Sequence, residues 1–246
     1  MSDLKDIHHW MEYKPGWEHY LECDPNIVAA GVKIEDVYRT ISLARAHMFF
    51  QDVGDFGQLI SEKDDLYLNF IKSTFLQDSM MYYNICIDLS WQVLWYYFGS
   101  NDINIIKDKV KYNSEARGCN LESLNYRLQL AKQEKLRNII NDFFNSDSVK
   151  EIRDLYNYMK HRGTFYVELM GKNEEFIPFN INGINPPMIT RKELDLDDWT
   201  QKLTDFDREF VNYFELIISI VIPKSYKDCT FSFTSFDKYF FKYIGL

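Results

Sequence analysis

The residues best suited to chemistry lie in one helix-like segment, which runs from Glu151 to Gly163 and ends in Lys-His-Arg-Gly. The segment holds His161, the one histidine of the sequence beyond residue 47, with a cation on each side and an amide one turn earlier. An imidazole can donate or accept a proton near neutral pH, and neighbouring cations can contact a phosphate. This segment therefore predicts a site for proton transfer or phosphate binding.

Helical spacing places the polar residues of this segment on one stripe. At about 100° per residue, the stripe spans an arc of roughly 100° beside the apolar face and holds Arg153, Asn157, Lys160 and His161. Partial desolvation there would tune the pKa of a histidine near neutrality. The same pattern also fits an ordinary amphipathic helix with a solvated polar face, whose last-turn cations complement the helix dipole.

The most apolar segment of the chain, Met80–Phe98, carries Asp88 near its middle. A helix without a polar face is either a central core helix or a membrane span, and an aspartate at the centre of a bilayer costs about 2.5–3.5 kcal/mol. We therefore predict a core helix and no membrane partner. Because a buried carboxylate needs compensation, Asp88 is expected to be a structural, buried polar residue that meets Arg153, a histidine or backbone donors.

These segments are predicted to belong to one all-α domain over residues 1–246, because 10 glycines and 6 prolines are too few for a many-stranded sandwich or barrel. We predict an antiparallel bundle of four to five long helices over 34–222, between an irregular arm at 1–33 and a docked aromatic tail at 223–246. The first long helix is predicted to begin at residue 34, from apolar residues at helical spacing. Loop residues in Asn180–Pro187 predict a small hairpin insertion.

The charge distribution restricts the class of partner. A net charge of −9 disfavours a general nucleic-acid binder, which needs dense cations. Two local islands are nevertheless basic. From Arg127 to Arg137 four cations stand against one acid, which gives a local charge of +3, and from Lys150 to Arg162 four cations stand against two acids, which gives +2.

The four cysteines, Cys23, Cys86, Cys119 and Cys229, lie far apart in the sequence and form no C-x-x-C pair. This pattern predicts reduced thiols and a cytoplasmic protein, and the N-terminus shows no apolar stretch typical of a signal peptide. The histidines and Cys23 near the N-terminus match no standard zinc spacing, and no phosphate-loop or dinucleotide fingerprint occurs. Neither a metal nor another cofactor is predicted.

One family resemblance rests on the residues already described. The pattern Asn157-x-x-Lys-His-Arg-Gly163, which closes a core helix, and the core segment Asp88-Leu-Ser-Trp-Gln-Val-Leu94 resemble the HEPN superfamily of bacterial and archaeal helical domains. The resemblance covers roughly residues 34–222, and its specific part is shorter than ten residues. It implies an all-α bundle, a homodimer, and a toxin–antitoxin or phage-defence setting. Many members resemble metal-independent ribonucleases that use an arginine and a histidine on one helix.

Carried over to this chain, the resemblance implies attack of a ribose 2′-OH on its own 3′-phosphate, which leaves a 2′,3′-cyclic phosphate. His161 would act as general base or acid, Arg153 or Lys160 would stabilise the phosphorane charge, and Asn157 would orient the histidine or a substrate oxygen. Lys160 and Arg162 would hold the phosphate. The chain departs from the family pattern because Tyr156 stands where the arginine is expected, and Arg153 lies further upstream.

Two hypotheses about function follow. In the first, a HEPN-like protein binds RNA or a nucleotide through the helix that ends at His161, and it is a weakened metal-independent endoribonuclease. In the second, the protein is a non-catalytic interaction module. The His161 stripe then lies at a dimer interface or against a protein partner of the antitoxin type.

Overall fold

A computed structural model describes residues 4–51, 65–167, 180–184, 192–230 and 232–243. Regular structure in these residues is almost entirely helical, as the all-α prediction requires. The helices and strands are α1 (Trp17–Glu22), α2 (Pro25–Phe50), α3 (Asp65–Tyr97), α4 (Asn104–Lys107), α5 (Lys109–Arg117), α6 (Leu121–Leu130), α7 (Glu134–Phe144), α8 (Asp147–Arg162), β1 (Tyr166–Val167), β2 (Glu193–Leu194), α9 (Leu196–Val221) and α10 (Phe233–Tyr243).

Helical structure begins earlier than the sequence predicted. The predicted irregular arm contains a 3-10 helix at His8–Tyr13, α1 and the first turns of α2. Pro25 occupies the first turn of α2, where its fixed φ and missing N–H favour a helix start rather than a break. Trp10 is fully buried and packs edge-on against Phe214 at a ring distance of 4.9 Å, so this segment is part of the core.

Helices α2 and α3 form the most extensive packing of the fold, and they run antiparallel. Near one end Asn26 Nδ2 donates to the Tyr97 carbonyl at 2.7 Å, and further along Ser79 Oγ donates to the Ala44 carbonyl at 2.8 Å. The side of α2 that faces this interface consists of the predicted periodic apolar positions, which are fully buried, namely Val37, Ile41, Ala44 and Met48.

Helix α9 joins α2 and α3 through a buried charged group. Asp207 is 0% exposed and accepts two hydrogen bonds from Arg45 of α2, at 2.8 and 2.7 Å, and one from the Tyr83 hydroxyl of α3 at 2.8 Å. Burial, and then the charge of Asp207, raise the pKa of Tyr83 well above its usual range, so the hydroxyl stays protonated and donates. Each buried charge is therefore compensated by a partner from another long helix.

The direction of α9 departs from the predicted antiparallel arrangement. Tyr83 contacts Asp207, and Ser90 lies 3.5 Å from Tyr213, so residue numbers rise together along α3 and α9. Short connections make neighbouring helices antiparallel, whereas here about a hundred residues separate the two helices. The long connection carries the chain back to the end from which α3 started.

Helix α8 lies against both α3 and α9. Its antiparallel alignment with α9 is set by Ser148, which donates to Glu209, and by Lys202, which donates to Glu151 at 2.8 Å. After α8, strand β1 pairs in parallel with β2. Most of the predicted hairpin lies outside the described residues, but Asn182 and Gly183 take positive φ values of 53° and 86° in a tight turn between Ile181 and Ile184.

The C-terminal tail contacts the N-terminal segment. Tyr226 is buried, its ring lies 4.1 Å from that of His19, and its hydroxyl donates to the Tyr13 carbonyl at 3.0 Å. Helix α10 packs on α1 and leaves Phe236 and Phe241 exposed. Among the described helices, none combines the length and apolar character that a bilayer crossing requires.

We predict that Asp207→Ala lowers the free energy of unfolding by about 3–5 kcal/mol, because it leaves the buried Arg45 charge without a partner. Urea unfolding followed by circular dichroism measures this change. The matched control is Asp205→Ala, two residues earlier on α9, where an exposed carboxylate pairs with Arg208 at 3.0 Å. The control should change stability by less than about 1 kcal/mol. Equal effects of the two substitutions would contradict the role assigned to Asp207.

Candidate functional site

The site predicted from the sequence lies at the C-terminal end of α8. The helix starts at its N-cap Ser146, whose hydroxyl accepts the Val149 N–H, and it buries Ile152 and Leu155 against the core. It ends at Gly163, which has a φ of 111° that other residues rarely adopt. Among the residues that the structure describes, none would come within 4 Å of a side chain at Gly163, and Lys160, His161 and Arg162 in the last turn are exposed.

The last two turns of α8 present a cluster of exposed polar side chains, which we call the α8 terminus and define as Asn157, Lys160, His161 and Arg162. Within the described part of the chain, no ion pair or side-chain hydrogen bond involves any of the four. The ammonium of Lys160 lies 6.0 Å from the centre of the Tyr156 ring. Two permanent cations, a histidine and an amide are therefore available to a partner at one end of the helix.

Arg153 belongs to a different environment. Its Nη1 donates to Asp88 Oδ1 at 2.9 Å, and its guanidinium lies 5.3 Å from the ring centres of both Trp91 and Phe144. The guanidinium is therefore held by a carboxylate and by two aromatic rings from α3 and α7. This contact joins α8 to the centre of α3.

The expected partner of Asp88 is present, but the predicted burial is wrong. The Asp88 side chain is 46% exposed, although it lies in the apolar segment of α3. The reason is that this segment is not covered all round, since Met81 and Ile85 on the same side of α3 are also exposed. Asp88 thus lies at the edge of the core, where its charge remains partly hydrated.

His161 and Arg153, one of the two cations expected to assist it, lie apart on α8. His161 follows Arg153 by eight positions, which corresponds to about 12 Å along the helix axis at about 1.5 Å per residue. Arg153 is directed to α3, while His161 is exposed in the last turn. Of the five residues proposed to form the site, α8 brings together Asn157, Lys160, His161 and Arg162, and it leaves Arg153 out.

The other basic island, around Arg127, is largely engaged in structure. Arg127 stacks on Trp95 at 3.3 Å, donates to the Trp95 carbonyl at 2.5 Å and pairs with Glu115 at 3.1 Å. Arg137 pairs with Glu134 at 2.8 Å within α7. Lys132 and Lys135 are the exposed cations that remain, so this island offers a comparison surface of equal charge for the α8 terminus.

The chemistry available at the α8 terminus is recognition of an anion. Among the described residues, no group of three or more histidine, cysteine, aspartate or glutamate side chains could hold a metal ion.

No family model, curated protein or solved structure matches the chain. The function has therefore to be argued from the geometry of this cluster and from the short motifs that resemble the HEPN superfamily.

We predict that Arg153→Ala lowers the free energy of unfolding by about 1–2 kcal/mol, because it removes a guanidinium that is both paired with Asp88 and stacked on aromatic rings. Arg162→Ala on the same helix is the matched control and should change stability by less than about 0.5 kcal/mol, since its side chain is exposed. Thermal and urea unfolding of the two variants measure the difference. If the Arg153→Ala protein is as stable as the control, Arg153 does not stabilise the fold and is again a candidate for the functional site.

Proposed function

We propose that the protein is a HEPN-like RNA-binding protein that holds RNA phosphates at the α8 terminus and does not cleave the bound strand. The observation that carries the proposal is the division of α8 into two parts. Arg153 is held by Asp88 and two aromatic rings, whereas Lys160, His161 and Arg162 are exposed in the last turn. Cations at a helix C-terminus are favoured by the dipole and provide phosphate contacts.

The absence of cleavage follows from the separation of charges. Attack of a 2′-OH on the adjacent phosphate requires a proton acceptor, and the phosphorane oxygens require a cation positioned beside it. His161 could serve the first role, but Arg153 is engaged about 12 Å away along the helix. Lys160 is a flexible point charge without a fixed hydrogen-bond geometry, so it binds a phosphate better than it stabilises one transition state.

We further propose that two copies associate through α3. At about 100° per residue, its exposed residues Phe70, Met81 and Ile85 fall within an arc of about 60°, and Asp88 lies on the same stripe. Because Arg153 of α8 contacts Asp88, the apolar stripe ends beside α8. A dimer whose two-fold axis runs parallel to α3 through this stripe would place both α8 helices at the same end, which offers RNA a doubled set of cations.

The biological setting that accompanies this proposal is the one implied by the HEPN resemblance, in which RNA binding is controlled by a protein partner of the antitoxin type. Such a partner would compete for the same exposed α8 terminus. The net charge of −9 supports selective rather than general RNA binding, because only the local islands can attract phosphates.

The RNA-binding test compares two double variants, each of which removes two positive charges. Lys160→Ala with Arg162→Ala should weaken binding of single-stranded RNA and reduce the slope of log Kd against log salt by about 1.4, because two cations no longer neutralise RNA phosphates and each contributes about 0.7 on a single strand. The control, Lys132→Ala with Lys135→Ala on the other basic island, should retain most of the affinity. Fluorescence anisotropy over a salt series, in EDTA, measures both proteins.

Three outcomes would contradict this proposal. Loss of binding in the Lys132 and Lys135 control, with full binding by the α8 variant, would move the RNA surface to the other island. Cleavage that leaves 2′,3′-cyclic phosphate ends and disappears in His161→Ala would establish the ribonuclease instead. If the wild-type protein binds none of the tested RNAs, the RNA-binding proposal is wrong and the interaction-module hypothesis is favoured.

For the dimer, we predict that Met81→Asp with Ile85→Asp converts a dimer into a monomer, because burying two carboxylates at the centre of an apolar interface is costly. Size-exclusion chromatography with light scattering measures the mass. Val110→Asp, an exposed apolar residue on α5, is the control and should leave the dimer intact. A wild-type protein that remains monomeric at every concentration tested would end this part of the proposal.

A further inference from the structure

The two ends of the chain meet at a contact between α1 and the tail. His19 of α1 and Tyr226 lie with ring centres 4.1 Å apart, and His19 Nε2 is 3.1 Å from the Tyr226 carbonyl oxygen. Lys238 of α10 pairs with Glu22 of α1 at 2.9 Å. Residues more than 200 positions apart in the sequence are therefore held together by a ring contact, a hydrogen bond and an ion pair.

This contact places two cysteines side by side. The Cys23 N–H donates to the His19 carbonyl at 2.9 Å, and the Cys229 N–H donates to the Tyr226 carbonyl at 3.2 Å. Cys23 therefore lies one turn after His19, and Cys229 lies one turn after Tyr226, the two residues whose rings are in contact. Burial raises the pKa of the Cys229 thiol, and a side-chain hydrogen bond from Cys23 opposes this shift, which places the two side chains near each other. Both are free thiols and both are partly exposed, so a small oxidant can reach them.

We propose that Cys23 and Cys229 are a redox modification site, at which a low-molecular-weight disulfide such as oxidised glutathione converts the two thiols into an intramolecular disulfide. One protein thiolate attacks the glutathione disulfide, forms a mixed disulfide and releases one reduced glutathione. The second protein thiolate then attacks the protein sulfur of the mixed disulfide and releases the second glutathione. Two electrons pass to glutathione, and the two thiol protons leave with the products.

The other two cysteines have thiols whose pKa is raised by desolvation. Cys86 is fully buried and its thiol pKa is raised well above its usual range by desolvation. Burial also raises the pKa of Cys119, to about 12. Burial raises the pKa of Cys229 too, but the hydrogen bond from Cys23 acts in the opposite direction, and exposure remains sufficient for exchange.

The disulfide would tie the tail to α1 across nearly the whole length of the chain. In the reduced protein, α10 is held on α1 by the Lys238–Glu22 pair and by local packing, with Phe236 and Phe241 exposed. Exposed contacts of this kind are weak and can open. In the oxidised protein the loop between Cys23 and Cys229 is closed covalently, so the docked position of the tail is fixed. This inference is independent of the proposed RNA binding.

The test uses the full-length protein equilibrated at about pH 8, near the ordinary thiol pKa, in reduced and oxidised glutathione buffers, followed by alkylation and peptide mass spectrometry. We expect a Cys23–Cys229 crosslinked peptide in the oxidised sample, faster migration on a non-reducing gel, and reversal by dithiothreitol. The melting temperature should rise by about 5–10 °C on oxidation, because the closed loop restricts the unfolded chain. Cys119→Ser, the matched control, should behave as wild type.

Cys23→Ser and Cys229→Ser should each abolish the crosslink and the rise in melting temperature. If a variant fails to fold, the crosslinked peptide from the oxidised wild-type protein still decides whether Cys23 and Cys229 form a disulfide. Stable single glutathione adducts at Cys23 or Cys229, disulfides between two copies, or full alkylation of both thiols in the oxidised buffer would each overturn the proposal.

Discussion

The buried interaction of Asp207 with Arg45 and Tyr83 is the constraint on which the rest of the structure depends. It is the point where α2, α3 and α9, the three longest described helices, contribute one polar group each to the interior. Apolar packing alone tolerates small rotations and shifts between helices, whereas a bidentate pair with an additional hydroxyl donor accepts one arrangement. Removing water from three polar groups is costly, so the helices are held in the register that satisfies all of them.

That register determines what α8 can do. Because α3 and α9 are fixed side by side, α8 lies against both. Its first turns pack on them, donate a hydrogen bond to Glu209 and form ion pairs with Lys202 and Asp88. The last turns extend beyond this support and end at Gly163, where cations are exposed. One helix therefore has a half that contacts the rest of the fold and a half that is exposed, and the proposal of RNA binding without cleavage rests on the position of Arg153 in the first half.

The contact between the C-terminal tail and α1 adds a second connection between distant parts of the chain. Tyr226 and His19 bring the tail to α1, and the adjacent Cys23 and Cys229 can change this contact from reversible to covalent. The two proposals thus assign phosphate binding to the α8 terminus and disulfide formation to the contact between the tail and α1.

The sequence by itself determined the helical class, the periodic core positions of α2, the location of α8 and the polar cluster at its end, because these follow from local spacing and composition. It also included Arg153 among the partners expected for Asp88, since a carboxylate in an apolar segment requires one. It did not determine the burial of Asp88, the parallel course of α3 and α9, or the early start of α2 at Pro25. Arg45 and Asp207 lie 162 positions apart, and Cys23 and Cys229 lie 206 apart. Contacts over such separations leave no local pattern in the sequence, and only the packing of the helices decided which of these residues meet.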